Sequence, residues 1–202
     1  NKLLTEGTDY EITYDGDLIN AGTVKLTVTG IGAYTGSVET TYNIQKLSMS
    51  NASFSVAPAY YTGSEVTPEV TVTHSGKTLV KDRDFIVTYH NNIEPSSYYN
   101  SPWVGIDGIG NYQGYVTKSF TINRADISSC TVTLSDESLT YTGSSLRPTV
   151  TVKNGDKELT LNQDYYVSYR NNWNAGTASV IVNGSGNYTG SVTKDFQIIP
   201  AD

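Results

Sequence analysis

The segment from Asp164 to Ile198 reads DYYVSYRNNWNAGTASVIVNGSGNYTGSVTKDFQI, and its pattern decides the fold class. Every second residue from Tyr165 to Tyr169 is apolar or aromatic, which is the period-two pattern of a strand with one buried face. Ala178–Asn183 and Thr193–Ile198 alternate in the same way. Stretches rich in Gly and Asn separate these runs and are typical of tight turns. The segment therefore predicts three consecutive β-strands.

The same signature recurs along the 202-residue chain. Tyr61-Thr62-Gly63 returns as Tyr141-Thr142-Gly143, and the Gly-rich run Gly108–Gly114 returns as Gly184–Gly190 and, earlier, as Gly30–Gly36. Self-similarity at such a period indicates stacked repeat modules. The copies divide the chain into the back part of a first module, a second module and a third module, at residues 1–46, 47–124 and 125–202. A chain that begins within a repeat is expected to be part of a longer array.

The last copy predicts an all-β module of seven short strands with no helical period. Asn154-Gly155 predicts a two-residue hairpin turn with positive φ at both central residues. Seven strands with regular turn signals favour a small antiparallel sandwich of the immunoglobulin-like type, repeated in an elongated array. The predicted strands are Cys130–Leu134, Leu139–Gly143, Pro148–Val152, Lys157–Thr160, Asp164–Tyr169, Ala178–Asn183 and Thr193–Ile198.

Comparison of the copies predicts which side chains form the core. The positions that are apolar or aromatic in all three copies alternate along the fifth strand, so they belong to one face. Buried Tyr side chains need a partner for the hydroxyl, and we expect Tyr112 and Tyr188 to hold the Gly-rich turns in this way. The inward positions of the fifth strand are Tyr10, Ile12 and Tyr14, then Phe85, Val87 and Tyr89, then Tyr165, Val167 and Tyr169.

Composition excludes several classes of partner. The net charge of −7 gives no basic face for nucleic acid or anionic lipid. The single cysteine, Cys130, permits no disulfide within the chain. No apolar run approaches the roughly 20 residues that a membrane helix needs, so no membrane insertion is expected. The chain is expected to be a monomeric fragment that folds by packing and hydrogen bonding.

The order of the motifs resembles the repeat modules of Gram-positive cell-surface proteins and adhesins. The series runs from Tyr141-Thr142-Gly143 through the strand after Pro148 to the Asp164–Ile198 segment, and the resemblance covers essentially the whole chain. It implies an extracellular protein, secreted or attached to the cell wall, but it supplies no ligand. Modules of this kind include immunoglobulin-like sandwiches and β-grasp-like folds. We prefer the sandwich because no helical segment is predicted.

No residue set predicts catalysis, so the chain is not expected to be an enzyme. His74 and His90 are expected on the surface because the last copy has Lys153 and Arg170 there. The acidic position shared by all copies is expected to cap a turn by accepting backbone N–H bonds; these residues are Asp9, Asp84 and Asp164. Calcium is the alternative because Asn residues cluster nearby, but no EF-hand spacing is present. No metal and no cofactor are therefore predicted.

The middle copy departs from the repeat in an aromatic insertion, Ile93–Val104. Tyr98 and Tyr99 lie within it, and Trp103 aligns with Ser179, a position that points outward. Clustered exposed aromatic side chains are typical of sites that bind sugars or peptides, so Tyr98, Tyr99, Trp103 and the weaker candidate Trp173 form the predicted ligand site. The alternative is that the insertion folds over its own module or packs against a neighbour.

These features predict a structural stalk or spacer with possible adhesion, whose partner is a glycan or a host or cell-wall protein. A carbohydrate-binding accessory segment of a secreted enzyme is the alternative. Exposed aromatic residues that bind glycans favour the alternative, whereas an array without a ligand favours the spacer.

Overall fold

A computed structural model describes residues 2–201, and within this range the chain contains strands and two short 3-10 turns but no α-helix. The 3-10 turns lie at Met49–Asn51 and Ile127–Ser129. In chain order the strands are β1 (Tyr10–Asp15), β2 (Gly22–Gly30), β3 (Ser37–Ile44), β4 (Leu47–Ser48), β5 (Ser53–Val56), β6 (Ala59–Tyr60), β7 (Val70–His74), β8 (Lys77–Thr78), β9 (Phe85–His90), β10 (Trp103–Gly108), β11 (Tyr112–Gln113), β12 (Tyr115–Ser119), β13 (Ile122–Asn123), β14 (Ala125–Asp126), β15 (Thr131–Leu134), β16 (Ser138–Thr140), β17 (Val150–Asn154), β18 (Lys157–Glu158), β19 (Tyr165–Arg170), β20 (Gly176–Gly184), β21 (Tyr188–Thr189) and β22 (Ser191–Ile199).

The strands belong to two compact units, and the middle repeat contributes segments to both. The first unit contains the described residues up to Ala57 together with Glu69–His90 and Trp103–Ser119. The second contains Pro58–Pro68, Asn91–Pro102 and the described residues from Phe120 onward. The boundaries at 46/47 and 124/125 therefore describe the repeats of the sequence. That each repeat is a separate domain stays a prediction.

The second unit contains the last repeat, which forms two sheets around a shared core. One sheet has the order β15-β17-β18 and the other the order β16-β22-β20-β19. Leu134 of the first sheet packs against the buried Phe196 and Ile198 of the second. The Tyr165 hydroxyl donates to Val150 O at 3.0 Å and so also joins the two sheets. The all-β prediction is confirmed and all seven predicted strands occur, while the immunoglobulin-like assignment stays a prediction.

Parallel pairing is a feature that the sequence did not predict. β16 pairs parallel to β22, although the rest of that four-stranded sheet is antiparallel. Only Ser135–Glu137 separate β15 from β16, so the chain crosses from one sheet to the other without reversing. A bend of this kind is how strands switch sheets in sandwiches. The other parallel pairs are β4 with β11, β6 with β13, and β14 with β21.

The predicted hairpin turn exists, but its register is shifted by one residue. Asn154 pairs with Lys157, so the central residues are Gly155 and Asp156 instead of Asn154 and Gly155. Of these, only Gly155 has positive φ, at 58°, as in a turn that needs Gly at its first central position. In the middle repeat Ser75 and Gly76 both have positive φ. The Asn-Gly pair indicated the turn correctly, but Asn154 is the last residue of the strand.

The first unit contains the partial first repeat, whose sheet has the order β1-β2-β3, and two three-stranded sheets of the middle repeat, β5-β7-β8 and β12-β10-β9. Phe85 on β9 and Ile106 on β10 are buried as predicted. Tyr14 on β1 was predicted to face the core but is 51% exposed. In the last repeat the equivalent Tyr169 donates its hydroxyl to Pro148 O, across to the other sheet, at 2.7 Å. The described residues of the first repeat form the single sheet β1-β2-β3, and among them no second sheet faces Tyr14.

The shared Asp closes a short turn in every copy, as predicted. In the last copy Asp164 N–H donates to Thr160 O at 2.8 Å, and Thr160 N–H donates to Asp164 Oδ2 at 2.9 Å. Asp9 and Asp84 accept from Thr5 and Val80 in the same way, and all three Asp residues are buried. Arg83 also binds Asp84 at 2.8 Å. This guanidinium lowers the pKa of the Asp84 carboxyl, and the Val80 N–H lowers it further against the effect of burial.

Candidate functional site

The aromatic insertion of the middle repeat folds against its own module. Ser96 N–H donates to Ile122 O at 2.8 Å, and Ile122 N–H donates to Ser96 Oγ at 2.9 Å. Asn100 Nδ2 donates to Glu94 O at 2.7 Å, and Pro95 is buried. In the last repeat, Gly176 at the start of β20 occupies the place opposite Ile198 on β22. The insertion therefore replaces part of a strand with a hydrogen-bonded loop.

This loop presents Tyr98 and Tyr99 to solvent. The two side chains are 95% and 94% exposed, and their rings meet edge to face with centroids 5.1 Å apart. Tyr99 N–H donates to Ser97 Oγ at 3.3 Å, and Ser97 N–H donates to Asn100 O at 2.8 Å. The backbone under the two rings is therefore held by the loop's own hydrogen bonds. Tyr98 and Tyr99 form an exposed aromatic pair, as the sequence predicted.

Trp103 is less available than the sequence predicted. It begins β10 and lies opposite His90 on β9, and the two rings stack with centroids 3.8 Å apart and planes 10° apart. The indole is half-buried, because His90 covers one of its faces. An outward position on a strand was correct, but the neighbouring strand supplies a ring that occupies the stacking face. A ligand stacking on that face needs to displace His90.

Trp173 lies in the turn that follows β19 and is 61% exposed. The preceding Asn residues hold this turn: Asn171 has positive φ, at 55°, and Asn172 Nδ2 donates to Leu146 O at 2.9 Å. Leu146 N–H donates to Asn172 O at 2.8 Å, so the pair is joined in both directions. Trp173 is a single exposed ring on a fixed turn.

The second unit contains a contact between repeats that sequence reasoning missed. Tyr61, from the Tyr-Thr-Gly turn of the middle repeat, is 6% exposed and meets Tyr188 of the last repeat edge to face at 5.7 Å. Lys157 Nζ lies 5.7 Å from the centre of the Tyr61 ring and donates to its hydroxyl at 3.4 Å. Hydrogen bonding to Tyr61 raises the pKa of the Lys157 ammonium, and burial raises the pKa of the Tyr188 hydroxyl. We call Tyr61, Lys157 and Tyr188 the Tyr61 joint.

Tyr188 itself is fully buried, as predicted for the Gly-rich turn. Its hydroxyl accepts a long hydrogen bond from Asn154 Nδ2 at 3.4 Å. Tyr112, its equivalent in the middle repeat, packs edge-on against the His74 ring at 5.7 Å. The two Tyr residues thus bind the hairpin turn through different partners in the two repeats.

The Asn of the Gly-x-Gly-Asn-Tyr turn forms a second repeated contact to the preceding copy. Asn187 Nδ2 donates to Glu94 Oε2 at 2.6 Å in the second unit. In the first unit Asn111 Nδ2 donates to Asn20 Oδ1 at 2.6 Å, and Ala21 N–H donates to Asn111 Oδ1 at 2.7 Å. The sequence carried only a partial signal for this contact, because Asn111 and Asn187 occupy the same turn position whereas the first copy has Ala33 there.

The groups considered for catalysis are dispersed. His74 was expected on the surface but is 7% exposed. It pairs with Lys77 as Asn154 pairs with Lys157, so its equivalent is Asn154 and not Lys153. His90 is exposed and stacked on Trp103. Cys130 is half-buried, and burial raises the pKa of its thiol. Among residues 2–201 no group of three or more His, Cys, Asp or Glu residues could hold a metal ion.

No family model, no curated protein and no solved structure matches the chain. Within the described part of the chain there is also no helix that is long and apolar enough to cross a membrane.

Proposed function

We propose that the chain is a structural spacer segment of an extracellular surface protein, in which β modules are joined to one another by built contacts. The Tyr61 joint carries this proposal. A buried aromatic ring that a neighbouring repeat holds by an edge-to-face contact and a cation contributes more than a surface contact does. The Asn187–Glu94 hydrogen bond supports the same contact between repeats. The resemblance of the motifs to Gram-positive surface repeats and the scarcity of cysteine support the extracellular location.

The junction between the two repeats offers a direct test. Arg124 is exposed and lies between β13 and β14, so trypsin cleaves after it when the junction opens. Tyr61 N–H donates to Asn123 O at 2.8 Å, directly beside this site. Tyr61→Ala removes the ring from the joint, and a loss of about 1.4 kcal/mol predicts about tenfold faster cleavage after Arg124. Equal cleavage rates in the wild type and Tyr61→Ala contradict the proposal.

The repeat itself provides the matched control. Tyr141 occupies the equivalent position in the last copy but is 38% exposed. Tyr141→Ala makes the same chemical change outside the joint, so cleavage after Arg124 is expected to keep the wild-type rate. A general loosening of the modules affects both variants, whereas opening of the joint affects Tyr61→Ala alone.

The exposed pair Tyr98 and Tyr99 favours a second function, the binding of a glycan or a peptide as in an adhesin or a carbohydrate-binding accessory segment. Two almost fully exposed rings on a loop fixed by hydrogen bonds form a stacking surface with little conformational cost. A glycan array probed with the wild type and with the double variant Tyr98→Ala/Tyr99→Ala tests this function. Tyr166→Ala is the control, since Tyr166 is an exposed ring on a regular strand. Binding that survives the double variant contradicts it.

A further inference from the structure

A small pocket lies at the junction between the middle and last repeats, within the second unit. Its volume is about 320 Å³. The middle repeat contributes one wall, Tyr60–Thr62, and the last repeat contributes the other, which consists of Ala125, Asp126, Ser129 and Asn154. All these residues belong to the second unit, so both walls are present in the described chain. Pockets of roughly 300–1,000 Å³ hold small ligands, and this one has room for a single small molecule.

Hydrogen bonds fix the acidic wall of the pocket. Asp126 Oδ1 accepts the Ser128 N–H at 2.9 Å, and Ser129 Oγ donates to Asp126 O at 2.7 Å. The carboxylate also lies against Gly190, where an added Cβ would come within 2.6 Å of Oδ1. The Ser128 N–H lowers the pKa of the Asp126 carboxyl. Asp126 is therefore an ionised, exposed acceptor that is held in place.

The opposite wall presents an aromatic ring. Tyr60 is 63% exposed, and its backbone pairs with Asn123 of β13. The Tyr61 N–H donates to Asn123 O at 2.8 Å, so the strand that carries the Tyr60 ring is fixed. An aromatic ring beside a few polar groups that set orientation is typical of small-molecule sites.

The ring and the carboxylate are departures from the repeat. The last copy has Thr140 where the middle copy has Tyr60. The middle copy has Ser48 where the last copy has Asp126, since Ser48 pairs with β11 as Asp126 pairs with β21. The fold of a repeat therefore requires neither the ring nor the carboxylate, yet the two occur together at this junction.

The charges around the pocket favour a neutral ligand. The Asp126 carboxylate repels an anion, and the Lys157 ammonium, 3.4 Å from the hydroxyl of Tyr61, repels a second cation. A neutral molecule with several hydroxyl groups meets neither penalty. Its hydroxyls can donate to the carboxylate and to the amide oxygen of Asn154, whose Nδ2 is used by Tyr188. A sugar ring has such hydroxyls together with an apolar C–H face that packs on an aromatic ring.

We propose that this pocket binds one neutral sugar ring, a hexopyranose unit of a glycan. Tyr60 packs against its C–H face, while Asp126 and Asn154 bind its hydroxyls. The site is separate from the exposed pair Tyr98 and Tyr99, neither of which lines the pocket. It rests on the proposed function in one respect, because Tyr61 forms part of the wall while the joint is closed.

The test measures the binding of the methyl glycosides of glucose, galactose, mannose and N-acetylglucosamine by saturation-transfer difference NMR. Each has about 13–16 non-hydrogen atoms, which at an ordinary ligand efficiency gives a Kd of about 1 mM for the best of them. Tyr60→Thr installs the residue of the last copy, and its loss of the ring is expected to weaken binding about tenfold. Asp126→Asn keeps an acceptor for the Ser128 N–H but removes the charge, and is expected to weaken binding about fivefold.

Two matched variants serve as controls. Tyr166→Ala removes an exposed ring from β19, outside the pocket, and is expected to leave the Kd unchanged. The double variant Tyr98→Ala/Tyr99→Ala is also expected to leave it unchanged, which separates this site from the aromatic pair. Trypsin cleavage after Arg124 at the wild-type rate verifies that the joint of each variant is closed. If Tyr60→Thr opens the joint, the affinity of Asp126→Asn decides.

Three results overturn the inference: no saturable binding of any of the four glycosides up to about 20 mM, roughly twentyfold above the expected Kd; an affinity that survives both Tyr60→Thr and Asp126→Asn; or tighter binding of tetramethylammonium, a cation probe, that depends on Tyr60. The two proposals fail separately. Faster cleavage of Tyr61→Ala without glycoside binding by the wild type removes the sugar site and keeps the joint. Equal cleavage rates with binding that requires Tyr60 and Asp126 remove the joint and keep the sugar site.

Discussion

Removing the Asp164 carboxylate is expected to destabilise the last repeat by more than any surface substitution near it. Asp164 is buried, and its Oδ2 accepts the Thr160 N–H at 2.9 Å. The backbone of the same residue also donates to Thr160 O and accepts from the Ser185 N–H, both at 2.8 Å. The side chain therefore fixes the geometry on which the β18–β19 connection and the Gly-rich turn both depend.

The magnitude follows from the kind of bond that is lost. A hydrogen bond to a charged group contributes about 1.5–3 kcal/mol, so Asp164→Ala is expected to cost about this much. Asp164→Asn keeps an oxygen acceptor without the charge, and we expect a cost of about 1 kcal/mol. With a urea dependence of about 1 kcal/mol per molar for a small module, the Ala variant lowers the midpoint by about 1.5–3 M.

The two tryptophans allow the measurement to be made for each compact unit separately, because Trp103 lies in the first unit and Trp173 in the second. Trp103 lies in the middle repeat and Trp173 in the last. In a Trp103→Phe background, the fluorescence of Trp173 follows the urea unfolding of the second unit, which contains the last repeat. Asp156→Ala is the control: Asp156 is exposed in the hairpin turn, so its change is expected to stay within about 0.5 kcal/mol. An Asp164→Ala midpoint equal to that of Asp156→Ala would falsify the turn-closing role of the shared Asp.

Three further predictions concern titration, tyrosine hydroxyls and the thiol. The pKa of the Asp84 carboxyl is lowered in the fold mainly by Arg83. The ionised Asp84 therefore stabilises the fold above the unfolded pKa of about 3.9, and this stabilisation is lost as the pH falls through the lower folded pKa. Urea unfolding followed by Trp103 fluorescence between about pH 5 and pH 2 is expected to show this loss of stability, and Arg83→Gln is expected to reduce the loss. Tyr165→Phe removes a buried hydrogen bond of 3.0 Å and is expected to lower the free energy of unfolding by about 1 kcal/mol. Tyr188→Phe removes a longer hydrogen bond of 3.4 Å and is expected to lower it by about half as much. Equal losses in thermal unfolding would contradict the assumption that the longer bond is the weaker one. Cys130 has a raised thiol pKa because it is partly buried, so alkylation by iodoacetamide at neutral pH is expected to be slower in the native chain than in urea, and equal rates contradict this.

The sequence predicted the strands of a repeat well, because the positions that are apolar in all copies identify the inward face more reliably than single residues do. The inward positions Phe85 and Tyr165 are buried, and the shared Asp accepts the predicted backbone N–H. Strand direction was harder to predict. Alternation along Leu139–Gly143 shows that the segment is extended, but a period of two is the same for parallel and antiparallel pairing. The short connection Ser135–Glu137 sets the direction of β16, and the length of this connection alone does not indicate parallel pairing.

The exposure of the candidate ligand-binding residues was predicted in part, whereas ligand binding stays a prediction. Tyr98 and Tyr99 are exposed because the insertion leaves the ladder and its own hydrogen bonds hold it away from the core. Trp103 was assigned outward from its register with Ser179, and that register is correct. The register of β10 did not show which side chain lies beside Trp103 on the neighbouring strand β9. His90 stands where the last repeat has Arg170, and a ring there stacks on the indole.

Tyr61 and Tyr141 show why the joint was beyond prediction from a single repeat. Both follow a short edge strand and precede Thr-Gly with positive φ at the Gly, yet Tyr61 is buried and Tyr141 is exposed. Burial at this position is therefore a property of the neighbouring copy and not of the module that carries the residue. The two Tyr residues share the same local sequence, but only Tyr61 is covered by a lysine and a tyrosine of the following copy. The junction between the last two repeats gains packing in this way, because Lys157 and Tyr188 of one copy cover the Tyr61 ring of the copy before it.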